Sequence, residues 1–264
     1  MSGKLSGKVF EPRIDDVLAF CRRDPVERVF LEDVARRGHG RFVATRGENG
    51  LQAICHLGTN VVPSGDGCGA FAEAAAKAGA RMLIGEERAV TELFDAARRR
   101  LPQPRDDRPG QPVYAISVPP EAGGTGLRRA TAADLDLLVP ACAASHHEEL
   151  GVDPLRRDPE GFRWRTRTQI EEGRSWLWEV DGVIRFKAEA SAWTPSAVQL
   201  QQVWVDPPVR RQGFATRALC DLVRLLLERT PVVTLFVRRD NVAAIRLYEA
   251  IDMRLVLSYR SILL

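Results

Sequence analysis

The sequence predicts an α/β protein built as two domains, and three observations carry that prediction. First, an apolar strand at Val203 to Val205 runs through Asp206-Pro207-Pro208 into Arg210-Arg211-Gln212-Gly213-Phe214-Ala215, then at once into an amphipathic helix. Second, Trp176 to Val180 and Val183 to Trp193 flank Asp181-Gly182, a two-residue hairpin turn. Third, Pro119 to Gly126 reads PPEAGGTG, a Pro/Gly cluster of linker type within a 264-residue chain, which is long enough for two ordinary domains. The expected division is 1–120, a linker at 121–126, and 127–264.

In the first half, Asp15 to Arg22 and Val26 to Arg37 read as helices. Arg41 to Arg46 and Leu51 to Leu57 read as strands around the Glu48-Asn49-Gly50 turn. Between Leu57 and Phe71 no helix or strand is read and no basic residue occurs, and the Gly65 to Gly69 cluster within it reads as a flexible loop rather than a ligand site. Phe71 to Ala78 is an Ala-rich helix, Met82 to Gly85 a short strand, Ala89 to Leu101 a helix and Val113 to Val118 a strand. Gly65-Asp66-Gly67-Cys68-Gly69 could cradle a phosphate, but Asp66 opposes an anion and no Arg or Lys stands nearby in sequence.

In the second half, Leu127 to Ala130 reads as a strand and Thr131 to Glu149 as a helix, with Thr131 as N-cap and Asp134 at the capping-box position. Val198 to Asp206 is the next strand after the hairpin. Ala215, Ala218, Leu219, Leu222, Leu225 and Leu226 form a buried stripe on the following helix. Val232 to Val237 and Arg254 to Ile262 read as the last strands of this half. Trp164, Trp176, Trp178 and Trp193 are expected in a core or interface.

Composition narrows the function. The chain is 45% hydrophobic and 28% charged, the balance of a folded globular protein. It has no apolar run of membrane-spanning length, and Met1 to Arg13 lacks the apolar centre of a signal peptide, so a cytoplasmic location and no membrane partner are expected. Net charge is only +3 and no basic run alternates with aromatics, so nucleic acid is not an expected partner. Cys21, Cys55, Cys68, Cys142 and Cys220 form no C-x-x-C pair, which reads as free thiols and no metal site.

The strand–loop–helix at Val203 to Leu226 has the chemistry of an anion site. Loop N–H groups and the helix N-terminus offer partial positive charge. Gly213 and Ala215 keep bulk away from the backbone, and Arg210 and Arg211 add charge and donors.

The R-x-x-G-x-A spacing of Arg210, Gly213 and Ala215 resembles the pyrophosphate loop of the GNAT superfamily of acyl-CoA-dependent N-acyltransferases. Asn241, Ala244 and Tyr248 in NVAAIRLYEAIDM resemble the superfamily's N-x-x-A-x-x-x-Y helix. The finer pattern, carried by Phe186 to Pro207, is similar to a two-domain actinobacterial-type group with an uncharacterised N-terminal domain. The resemblance implies a mixed, mostly antiparallel central sheet flanked by helices in the C-terminal half. The order of elements in the first half parallels the second, which suggests a degenerate GNAT-like repeat without the cofactor motif. That domain is expected to cover the acceptor side or to form a homodimer contact.

The resemblance further implies acetyl-CoA, or another acyl-CoA, as cosubstrate and no metal. Its contacts would come from Val203, Val205, Arg210, Arg211, Gln212, Gly213, Phe214, Ala215, Asn241 and Ala244. Tyr248 would protonate the leaving thiolate as general acid; the bland alternative is that its ring only packs. His147, Glu148 and Glu149, with His146 before them, would line the side that takes a primary amine from a small molecule or peptide. Many members carry a glutamate on the fourth strand, where this chain offers Gln199, Gln201 and Gln202. Glu189, between Ala188 and Ala190, is the candidate base if that apolar setting raises its pKa. A water-facing Glu189, with deprotonation through ordered water, is the alternative. Asp252-Met253 replaces the superfamily's usual Gly-Phe helix stop. The function expected is acyl-CoA-dependent N-acyl transfer by direct attack; the alternative is a non-catalytic acyl-CoA-binding sensor.

Overall fold

The computed structural model describes residues 8–264, so Met1–Gly7, part of the segment read for a signal peptide, lie outside the described residues. The elements in chain order are α1 (Ile14–Cys21), α2 (Pro25–Arg36), β1 (Arg41–Gly47), β2 (Gly50–Leu57), β3 (Asn60–Gly65), α3 (Ala72–Lys77), β4 (Met82–Glu86), α4 (Glu87–Ala97) and β5 (Asp106–Ile116). There follow β6 (Arg128–Arg129), α5 (Leu135–Leu150), α6 (Pro154–Arg157), α7 (Pro159–Glu171), β7 (Ser175–Val180), β8 (Val183–Trp193) and β9 (Val198–Val205). The last are α8 (Phe214–Leu227), β10 (Val233–Phe236), α9 (Val242–Ala250) and β11 (Arg254–Leu263). They group into two compact units. The first takes the chain up to Ala115 with Phe236–Val242 and Leu255–Leu264; the second takes Ile116–Leu235 and Ala243–Arg254.

In the first unit the strand order is β1-β2-β3-β4-β11-β5. Asp24 caps α2 by accepting from the Glu27 N–H at 3.2 Å, and Pro25 opens the helix where a missing N–H costs nothing. The stretch between Leu57 and Phe71, where no strand is read from sequence, contains one. β3 pairs antiparallel with β2 from Ala53↔Gly65 to Leu57↔Val61. Pro63 hides it in sequence. It is tolerated because the parallel ladder to β4 ends at Val61, so no bond toward β4 is asked of it.

β11 was read as closing the second half, yet it pairs antiparallel with β4, from Tyr259↔Glu86 to Leu263↔Met82. Burial explains the choice. Ile262 and Leu264 join Phe71, Leu83 and Leu93 in one apolar cluster, and the Tyr259 hydroxyl donates to the Glu27 carbonyl at 2.6 Å.

In the second unit the order is β10-β9-β8-β7-β6. All its registered pairs are antiparallel except β9 with β10. The first unit has the same sequence of pairings, with β1, β2 and β3 antiparallel and β4 parallel to β3. Both parallel ladders register only two residue pairs. The two units thus share an order of strand pairings.

The capping box forms as read: Asp134 accepts from the Thr131 N–H at 2.7 Å, and Arg128 grips the same carboxylate at 2.7 Å on each oxygen. That guanidinium, with the Thr131 bonds, overcomes burial and holds Asp134 far below the usual carboxylate range.

The Pro/Gly segment read as a linker is fastened along α8. Asp221 accepts from the N–H groups of Gly123 and Thr125 at 2.7 and 2.8 Å and from the Thr125 hydroxyl at 2.6 Å. Arg217 donates to the carbonyls of Gly123 and Gly124, and Arg224 to that of Pro120. A Cβ on Gly123 would stand 1.9 Å from the Arg217 carbonyl oxygen, so the approach admits only glycine.

Two packing expectations change. Leu225 is 40% exposed while Val223 takes its place in the buried stripe of α8. Trp164 is 64% exposed on α7, whereas Trp176 and Trp178 are buried.

Candidate active site

The site begins with an irregular strand. β9 pairs antiparallel with β8, with one register shift at Ala190/Ala192 and a second where Glu189↔Gln201 is followed by Lys187↔Trp204. The extra residue is accommodated at Gln202, whose φ of 51° is left-handed and costs a non-glycine residue about 1 kcal/mol or more. On its other edge β9 registers with β10 only at Val198↔Val233 and Gln199↔Thr234. Residues Gln201 to Val205 extend past the end of that ladder. Val203 is half-buried in this stretch, and Val205 pairs with Phe186 on the β8 side while its carbonyl accepts from Arg210 Nε at 3.0 Å.

After Val205 the chain makes a short 3-10 turn at Pro207–Val209 and then a tight turn into α8. Arg211 and Gly213 take left-handed φ values of 61° and 82°. Gly213 is the N-cap of α8 and no side chain caps that end. A Cβ on Gly213 would meet nothing within 4 Å, so its near face is open. Gln212 closes the turn by donating to the Pro208 carbonyl at 3.0 Å. Phe214 stacks on Trp178 at 4.7 Å between ring centroids, which fixes the first turn of the helix, and Ala215 follows half-buried. The result is an uncapped, 14-residue helix N-terminus with two arginines beside it, the arrangement that binds phosphates.

The last turn of α5 closes over the bulge. Ser145 donates to Gln202 Oε1 at 2.8 Å, and Gln202 Nε2 donates to Glu149. Glu148 accepts from Trp204 Nε1 at 3.2 Å and from Arg210 Nη2 at 2.7 and 2.8 Å. His147 is exposed. Glu148 and Glu149, read as acceptor-side carboxylates, are thus brought to β9 and the phosphate-type turn.

Tyr248 is 6% exposed on α9. Burial pushes its phenol above the ordinary tyrosine range, and the Glu149 carboxylate adds to the shift. It therefore stays protonated at any neutral pH. Asn241 is exposed immediately before α9, and Ala244 is half-buried within it.

The apolar setting expected for Glu189 contains a cation. Lys187, 1% exposed, places Nζ 2.7 Å from Glu189 Oε1, and the Cys142 thiol lies 3.4 Å from the same oxygen. Burial opposes the Lys187 charge, but Glu189 and Cys142 outweigh it and raise the ammonium's pKa. Burial pushes the Cys142 thiol up to about 12. The Glu189 carboxylate is thus engaged by a buried ammonium and a thiol. Sequence reasoning missed Lys187, although the i, i+2 spacing of Lys187 and Glu189 along a strand was a signal for the pair.

In the first unit the corresponding turn is closed from within. The N–H groups of Gly67 and Cys68 both donate to Glu92 Oε2 at 3.0 Å, and Arg88 pairs with Asp66 at 2.7 Å. Among the described residues no His/Cys/Asp/Glu group has the arrangement of a metal site, and no helix is long and apolar enough to cross a membrane.

Residues 143–253 match the Acetyltransferase (GNAT) family, and residues 40–138 match a domain of unknown function, DUF4081. The match to the GNAT acetyltransferase family thus lies behind the stretch that matches DUF4081, and it supports acyl transfer. A GCN5-related N-acetyltransferase from Sphaerobacter thermophilus is similar in structure, with a TM-score of 0.60 at 19% identity over 99% of this chain and 96% of that one. A GNAT-family acetyltransferase from Colwellia psychrerythraea gives 0.60 at 11% identity, over 97% and 99% of the two chains. A tandem GNAT protein of the clavulanic acid biosynthesis pathway gives 0.54 at 11% identity, over 96% and 97%. At these identities the likeness is one of fold. No curated protein matches the chain.

Proposed function

We propose that this protein transfers an acyl group, most simply acetyl, from an acyl-CoA to a primary amine by direct attack. The observation that carries the reading is the uncapped N-terminus of α8 behind the left-handed Gly213, reached from a strand whose ladder with β10 ends at Gln199. N–H groups from Arg211 to Ala215 would hold the pyrophosphate, with Arg210 and Arg211 compensating its charge. Backbone N–H groups of β9 near Val203 and Val205 would stabilise the oxyanion of the tetrahedral intermediate. Asn241 and Ala244 are assigned to the pantetheine arm on the resemblance of their helix.

The thioester supplies the electrophile. Tyr248, buried and protonated, donates its proton to the departing thiolate. Glu148, Glu149 and His147 would face the acceptor, and two carboxylates there suit a cationic amine from a small molecule or peptide. Glu189 is tied to Lys187 and is given no proton-transfer role. The first unit is assigned no second acyl-CoA, because Glu92 already satisfies the two amides of its turn. A reaction fed by acyl-CoA belongs in the cytoplasm.

Calorimetry with acetyl-CoA, followed by thiol-release assays with a panel of amines, tests the reading. Binding with amine-dependent thiol release supports it. Binding without turnover selects the sensor alternative.

A further inference from the structure

The proposed reaction needs a group to accept the proton of the attacking nitrogen, and the carboxylates around β9 are each engaged. Glu189 is held by Lys187, Glu148 by Arg210 and Trp204, and Glu149 by Gln202. His146 differs. Its Nδ1 is buried and has no hydrogen-bond partner. Its ring meets Phe162 of α7 edge-on, with centroids 5.9 Å apart.

Its place on α5 is fixed from both sides. Ser145 and Glu149 both bond Gln202, the residue at the bulge of β9. One turn earlier, Cys142 reaches Glu189 on β8, so His146, four residues on, shares the face of α5 turned to the sheet. His146 thus lies on α5 between two residues that hold the bulge of β9, the stretch over which the reaction is proposed to occur.

We propose that His146 is the general base of this acyl transfer, taking the proton that the attacking amine gives up. This rests on the acyl-transfer reading above. In the step, a neutral amine forms the N–C bond to the thioester carbon and the C–S bond breaks. One N–H proton passes to the imidazole and the Tyr248 phenol proton passes to the thiolate. The imidazolium and tyrosinate left behind exchange that one proton through water, which restores both groups.

The charges facing the imidazole are Glu149 on its own helix, Lys187 and Glu189 on β8, and Arg165 on α7. Burial is the largest influence and lowers the imidazole below its ordinary pKa, so at pH 7 it is neutral and carries a lone pair. Protonation at lower pH removes the base, so activity falls on the acid side.

The test measures thiol release from acetyl-CoA with spermidine, kanamycin, lysine and a lysine-containing peptide across the pH range, for the wild type, His146→Gln and His146→Asn. Acetyl-CoA titration of each variant establishes that it folds. The wild type should show an acid limb with an apparent pKa below the ordinary histidine value. Each variant should bind acetyl-CoA like the wild type, lose about 10²-fold in kcat/KM, and lose the acid limb. NMR of the labelled imidazole, a readout independent of turnover, should place the His146 titration below the ordinary range. Wild-type turnover in both variants with the acid limb intact, or an imidazole titrating above the ordinary range, overturns the proposal while the acyl-transfer reading stands. Absence of thiol release by the wild type with all four acceptors overturns that reading, and this proposal with it.

Discussion

Arg210 grips Glu148 through Nη2, at 2.7 and 2.8 Å from the two carboxylate oxygens, while its Nε holds the Val205 carbonyl at 3.0 Å. A carboxylate from the end of α5 thus occupies an arginine that the proposed reaction needs for a phosphate. Both side chains are more than two-fifths exposed, so the pair is worth no more than about 1 kcal/mol. Glu148→Gln should tighten acetyl-CoA binding by up to about fivefold, because that pair no longer has to be broken. Calorimetry checks this, and weaker binding would contradict it.

Gly213→Glu should abolish acetyl-CoA binding through bulk and like charge. A side chain there meets no protein atom within 4 Å, so the fold itself is not obstructed, although the left-handed φ of 82° costs about 1 kcal/mol. Gly213→Asn, which tolerates that conformation, should fold nearly as well as the wild type and bind more weakly. Thermal unfolding and calorimetry on both variants separate strain from ligand exclusion. Unchanged affinity in Gly213→Glu would remove the phosphate assignment.

Tyr248→Phe should lower kcat by about 10²-fold with little change in acetyl-CoA affinity. Because burial and Glu149 raise the phenol's pKa, the wild type should show no basic limb from Tyr248 up to the ordinary tyrosine value. Wild-type turnover in Tyr248→Phe would leave this side chain a packing residue.

Much of the second unit was legible because its signals are local. The Thr131/Asp134 capping box, the Asp181-Gly182 hairpin turn and the turn before α8 each depend on a few adjacent residues. What was not legible depends on distant partners. The period-2 pattern of β11 says which residues share a face, not that β4 is the neighbour. The Pro/Gly segment reads as flexible until Asp221, nearly a hundred residues on, binds its amides. β3 was lost to Pro63, whose cost vanishes only when the end of the ladder at Val61 is known. Within the site, the motif residues were readable, whereas the bulge at Gln202 and the cation beside Glu189 were not.

The helix stop after Tyr248 shows a local rule satisfied by an unusual residue. Asp252 takes the left-handed φ of 65° that glycine ordinarily supplies; its N–H bonds the Glu249 carbonyl, and the Met253 N–H bonds that of Tyr248 at 3.1 Å. Asp252→Gly should therefore raise stability by about 0.5–1 kcal/mol, read as a higher denaturant midpoint with an unchanged slope. A lower midpoint would mean that the Asp252 side chain contributes more than its strain costs.

The contact of Asp221 with the Gly123–Thr125 segment is a charged, partly buried cluster in which backbone N–H groups and the Thr125 hydroxyl converge on one carboxylate. Burial opposes its ionisation, but the bonds from Thr125, Gly123 and Gly124 prevail and lower its pKa. A lowered pKa gives stability that is present above the unfolded value and is lost as pH falls through the folded one. Asp221→Asn should cost about 1–3 kcal/mol near neutral pH, with the difference from wild type shrinking in acid. Denaturant midpoints at neutral and acidic pH check it; a difference constant with pH would refute the ionised role.

The most direct test of acyl transfer is mass spectrometry of an amine panel incubated with the protein and acetyl-CoA, with wild type and Tyr248→Phe side by side. The account predicts at least one amine that gains an acetyl group in step with CoA release, with the gain sharply reduced in Tyr248→Phe. Tight acetyl-CoA binding with no acetylated amine in any reaction would contradict it.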